Sequence, residues 1–181
     1  MKTVTKKRKP EGQQDGIVSR PILFSSPMVR AILGGSKTMT RRVVNFDKHG
    51  FTQPLPHVEY ARDGMPIWWS SPPSEKIRAS DYYDNGFPCP YGRVGDRLWV
   101  RETCRITLEI TRIRVERLQQ IGIDDVLAEG IEAVTDGQHA NQYWREETRD
   151  KFVDLWDKLN GPRGFSWKSD PWVWVVEFKR V

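Results

Sequence analysis

Alternating runs and helical stripes of apolar residues predict most of the elements of this chain. Ile22, Leu23 and Phe24 form a short apolar run that predicts a strand. Ser25 or Ser26 then supplies an N-cap ahead of Pro27, whose missing N–H is harmless in a first helical turn. Val29, Ile32 and Leu33 share one face of the helix that follows. Gly34 and Gly35 stop it, because glycine alone enters the left-handed region freely. A second strand closes on Val43 and Val44.

Behind the Gly95-Asp96 turn, Leu98 and Val100 face one way and Arg97, Trp99 and Arg101 the other, which predicts a strand over residues 97–102. The alternation over 107–118 slips, with Leu108 and Ile110 in one phase and Ile113 and Val115 in the other. A bulge or strand change near Thr111 accounts for that slip and leaves Arg112 and Arg114 together on a basic stripe. Asp124 or Asp125 caps a short helix through Ala128 that Gly130 stops, so Glu129 falls in its last turn. A carboxylate there faces the negative end of the helix dipole, at a cost of about 0.3–1 kcal/mol unless compensated. Either an exposed glutamate tolerates the cost or a cation such as Lys37 meets it. Residues 141–160 give the clearest helix, with Trp144, Phe152, Leu155, Trp156 and Leu159 on one stripe and Gly161-Pro162 as the stop. Residues 171–181 are apolar on both faces until Glu177, which predicts a strand inside a closed or covered sheet.

Length and composition narrow this picture. A chain of 181 residues is expected to form one domain, here over 19–181, behind a disordered basic tail at 1–18. The net charge of +5 is matched by Lys2, Lys6, Lys7, Arg8 and Lys9 of that tail, so the body is close to neutral and local clusters must carry any argument for a polyanionic partner. Residues 45–92 hold seven prolines among Trp68, Trp69, Tyr82, Tyr83, Phe87 and Tyr91, too aromatic for a linker, and are expected to form an irregular insertion lying over the core or stacking bases. Cys89 and Cys104 make no CxxC pair, and no disulfide is expected in a chain read as cytoplasmic. His49, His57 and His139 stand too far apart for a metal site, and no cofactor is expected. The basic N-terminal segment lacks the apolar centre of a signal peptide, and no apolar run approaches the roughly 20 residues that span a bilayer. No membrane association is expected.

The densest polar chemistry follows the glycine stop: Ser36, Lys37, Thr38, Thr40, Arg41 and Arg42 put three hydroxyls and three cations in seven residues. A helix stop packed with donors suits an anion or a nucleobase. Taken in order, PILFSSPMVRAILGGSKTMTRRVV, VGDRLWVRET, DDVLAEGI and WVVEFKRV resemble the ASCH domain family, most closely its members carried by phages and prophages. The resemblance covers roughly 19–181 and departs at Cys104, where that group usually has tryptophan. It implies an α+β fold, a small PUA-like mixed β-barrel flanked by helices, and a partner that is RNA or a modified nucleoside. Some small ASCH proteins are amidohydrolases that remove the acyl group of N4-acetylcytidine-like nucleosides. Their functional lysine and threonine in a GxKTxT motif, and their glutamate in the following short helix, map onto Lys37, Thr40 and Glu129 as candidate catalytic residues. Ser36, Thr38, Arg41, Arg42, Trp99 and Arg101 are the candidate substrate or nucleic-acid contacts.

The residues leave the chemistry open. Thr40 attacks with neutral Lys37 as base and Glu129 as its orienter, or Glu129 activates a water while Lys37 and the threonine hydroxyls hold the carbonyl oxygen. In a regular strand Lys37 and Thr40 point to opposite faces, so either route needs a bend after Gly35. A non-catalytic nucleic-acid-binding module uses the same donors without turnover. A phage interaction or morphogenesis factor would use the aromatic segment 51–91 as its interface.

Overall fold

The structure, a computed structural model, describes residues 16–45, 57–60, 66–69, 89–103, 105–134 and 143–181. Five strands form one mixed sheet: β1 (Ser19–Ile22), β2 (Met39–Val43), β5 (Arg97–Val100), β6 (Thr107–Arg117) and β7 (Trp172–Arg180), in the order β1-β5-β6-β7-β2. β1 runs parallel to β5, and the other pairings are antiparallel. Two further strands, β3 (His57–Tyr60) and β4 (Pro66–Trp69), pair with each other in a separate two-stranded sheet. The helices are α1 (Ser26–Leu33), α2 (Ile123–Ala128) and α3 (Trp144–Asn160). The α+β class therefore stands. The expected closed barrel does not: among the described residues β1 and β2 do not pair, so the sheet is open and β2 is an edge strand. The basic tail, Cys104 and most of the insertion at 45–92 lie outside the described residues, so the expectations placed on them are not addressed.

β7 is apolar on both faces because both are covered. Trp174, Val176 and Phe178 face one core with Ile22, Leu98 and the α1 residues Val29 and Ile32. Val173 and Val175 face a second, with Met39, Val126 of α2, and Phe152 and Trp156 of α3. Each such side chain contributes about 1.5–3 kcal/mol on burial. The predicted slip in β6 is a register shift between Ile110 and Arg112. It puts Leu108, Ile110, Ile113 and Val115 into the same core although their numbers change parity.

Boundaries differ where side chains rather than periodicity decide. The first strand ends at Ile22, leaving Leu23 exposed and Phe24 buried beyond it. Gly122, not an aspartate, caps α2, and Asp124 and Asp125 sit in its first turn, where acids suit the dipole. The predicted stripe of α3 is buried only at Phe152 and Trp156, with Thr148 beside them, while Leu159 is exposed. Among the described residues no helix is long and apolar enough to cross a membrane.

Candidate functional site

The chain turns sharply after α1. Gly34 caps the helix and Gly35 takes a φ of 80°. Lys37 then forms an isolated antiparallel bridge with Glu129, the residue that caps α2, and the Thr38 N–H donates to the Ala128 carbonyl at 2.9 Å. Gly130 makes the approach feasible: its φ is 85°, and a Cβ there would stand 3.0 Å from the Cβ atoms of both Ala31 and Lys37.

Lys37 is buried, with its side chain fully enclosed. Its Nζ donates to Glu129 Oε2 at 2.7 Å, to the Glu129 carbonyl at 2.8 Å and to the Met39 carbonyl at 2.8 Å. Three acceptors around one nitrogen require three N–H groups, so the lysine is an ammonium. The cation thus meets both the glutamate and the negative end of α2. Burial pulls the Lys37 pKa below its ordinary value; Glu129 opposes this, and Arg42 and Arg41 add to it.

Arg41 continues the network. Its Nη2 meets Glu116 Oε1 at 2.6 Å and Asp125 Oδ2 at 2.5 Å, and its Nη1 lies 3.4 Å from Glu129 Oε1. Arg114 meets the same Asp125 at 2.5 Å and Glu116 at 3.2 Å, and also bonds Glu177. Burial would lower the Arg114 pKa, but Glu116, Asp125 and Glu177 together hold it above its ordinary value. Arg112 and Arg114 are consequently not a basic stripe: Arg114 is enclosed by carboxylates, and only Arg112 is exposed.

A cavity of about 300 Å³ opens at the unpaired edge of β2. Thr40, Arg42 and Glu129 supply part of its polar lining, and Leu155, Leu159 and Tyr91 part of its apolar wall. The register fixes which backbone groups face it. Phe178 donates to the Thr38 carbonyl and Val44 to the Trp172 carbonyl, so the even-numbered residues of β2 bond to β7. The peptide groups of Met39, Arg41 and Val43 therefore point outward. Lys37 takes the Met39 carbonyl, whereas the N–H and C=O groups of Arg41 and Val43, which border the cavity, have no partner among the described residues. The Thr40 side chain is buried, and its hydroxyl likewise has no protein partner among the described residues.

The candidate residues are therefore distributed unevenly. Thr40, Glu129, Arg41 and Arg42 border the cavity, and Lys37 stands behind Glu129 without bordering it. Ser36 is exposed beside a second hollow, near Arg30 and Lys151. Thr38 is on a third, near Leu108 and Phe178. Trp99 is half-buried on β5, which β6 and β7 separate from β2 in the sheet, and Arg101 is exposed just beyond it; neither borders these hollows. Cys89 is buried, and desolvation pushes its thiol up to about 11, away from the reactive thiolate form. Sequence reasoning missed Glu116, Asp125, Tyr91, Asn160 and Arg163. Only the acidic pair at 124–125 carried a usable signal, two carboxylates within reach of whatever cation meets Glu129.

No family model matches the chain, and no curated protein does. Among solved structures the chain is similar to an ASCH domain from Lactobacillus crispatus JV V101, at 16% identity and a TM-score of 0.43, over 90% of this chain and 79% of that one. It is also similar to a protein from Enterococcus faecalis V583, at 10% identity and a TM-score of 0.47, over 91% and 80% of the two chains. A third is a hypothetical protein at 13% identity and a TM-score of 0.39, over 91% and 100%.

Proposed function

We propose that this chain is an ASCH-type protein that holds RNA or a modified nucleoside in the cavity at the edge of β2 and hydrolyses the N4-acyl amide of N4-acetylcytidine-like nucleosides. One observation carries the reading: a carboxylate, a hydroxyl and two outward-facing peptide groups border one cavity against an apolar wall. A flat heterocycle has both requirements, an apolar face and an edge of alternating donors and acceptors.

The geometry favours Glu129 over Lys37 as the base. Lys37 has no N–H to spare and no exposure, so it acts as a positioning residue that fixes the glutamate. Glu129 takes a proton from a water, which adds to the acyl carbon while the Thr40 hydroxyl donates to the developing oxyanion. The carbon–nitrogen bond then breaks, the glutamate returns the proton to the leaving amine, and cytidine and a carboxylate are released.

A second reading, a module that binds without turnover, draws support from the same network. Lys37 and Arg41 hold one Glu129 oxygen each, an arrangement that suits a fixed recognition surface. Incubation with N4-acetylcytidine, followed by the absorbance change to cytidine, separates the two. Hydrolysis predicts turnover that falls at least a hundredfold in Glu129→Gln and in Thr40→Ala. Binding without turnover supports the module, and turnover unchanged in both variants would discard the assigned roles.

A further inference from the structure

We infer that the mouth of the cavity is an anion site built from Arg42, Arg163 and Tyr91, so that the natural ligand is a phosphorylated nucleoside rather than a free one. This rests on the nucleoside reading above and adds the phosphate. Among the described residues neither arginine has a carboxylate partner, in contrast to Arg41 and Arg114 nearby. Arg42 reaches only the Leu23 carbonyl at 2.5 Å through Nη2, with its guanidinium carbon 5.3 Å from the Phe24 ring centre. Its Nε is buried without a partner. A buried orphan donor on a cation calls for an acceptor from outside the described residues, and a phosphate oxygen supplies one.

Arg163 enters from the other side of the cavity. It stands on the single turn after α3, is exposed, and meets only neutral groups among the described residues: Asn160 Oδ1 at 3.3 Å and the Phe165 ring, whose centre lies 5.9 Å from its guanidinium carbon. Arg42, Tyr91, Asn160 and Arg163 all border the same cavity. The Tyr91 phenol is held above its ordinary pKa by burial, against Arg42 and Arg163, so it remains a hydroxyl donor. Among the described residues Glu129 is the one carboxylate on the cavity wall, and Lys37 and Arg41 already offset its charge. Two cations without carboxylate partners among the described residues, beside a hydroxyl donor, suit a phosphate.

The test compares N4-acetylcytidine, its 5′-monophosphate and a short RNA carrying the same base by calorimetry at low and physiological salt. The monophosphate or the RNA should bind at least tenfold tighter than the nucleoside. Which of them gains identifies the source as a nucleotide or as a strand backbone. In Arg163→Gln, an exposed substitution that spares the core, that ratio should fall towards one, and Arg42→Gln should do the same. Equal affinity for all three ligands, or an undiminished ratio in Arg163→Gln, overturns the phosphate site while leaving the nucleoside reading intact. If the nucleoside does not bind but inorganic phosphate does, and Arg163→Gln weakens it tenfold, the anion site stands and the base reading fails. Binding of neither removes both.

Discussion

Arg41 and Arg42 are consecutive residues of one strand with opposite surroundings. Arg41 turns towards α2, where Glu116, Asp125 and Glu129 enclose it. Arg42 turns to the other face and meets a carbonyl and an aromatic ring but no carboxylate among the described residues. A run of cations in a sequence therefore does not mark a ligand site by itself. The cation matched by the fold's own carboxylates holds segments together, and the unmatched one is open to an anion brought from outside.

The matched side of this comparison breaks hardest at Lys37. Lys37→Met leaves Glu129 and two carbonyls without their donor, and urea unfolding should show a loss of about 3–5 kcal/mol at an unchanged slope. The sign of its pH dependence follows from burial. The folded-state pKa lies below 10.5, so between that value and 10.5 the unfolded chain binds more protons and the stability of the wild type rises with pH. That rise should be missing from Lys37→Met.

Gly130→Ala strikes the same junction more gently. It forces a side chain into a φ of 85° and against Ala31 and Lys37, and should cost about 1–2 kcal/mol in the same assay. A neutral result would mean that the α1–α2 junction yields easily. The unmatched side should respond least in stability: Arg163→Gln is expected to stay within about 0.5 kcal/mol of the wild type. A larger loss would make Arg163 part of the scaffold and erase the contrast.

Local signals were legible in the sequence. Serine, proline and two glycines bounded α1 because capping and left-handed turns depend on few neighbours. The phase slip at Thr111 announced the bulge in β6. The meeting of Lys37 with Glu129 was readable as well, since a carboxylate at a helix C-terminus invites a cation. What joins distant segments was not. The acids around Arg41 come from β6 and from both ends of α2, and nothing in their spacing assigns them to one guanidinium rather than another. The stripe of α3 gave no sign of a cavity, because periodicity places Leu155 and Leu159 on the same face as Phe152 and Trp156 without saying which of them border open space. Trp99 and Arg101 shared a strand face, but strand order, which periodicity does not encode, put β6 and β7 between them and β2.

If a nucleoside lies along the outward edge of β2, backbone amide NMR during titration with N4-acetylcytidine will locate it there. In the unliganded chain the Arg41 and Val43 amides, which have no partner among the described residues, should exchange faster than those of Thr40 and Arg42, which bond to β7. On saturation the Arg41 and Val43 amides should show the largest shifts and become protected. Shifts centred on Trp99 and Arg101 instead, with the β2 edge unchanged, would rule out binding at this edge.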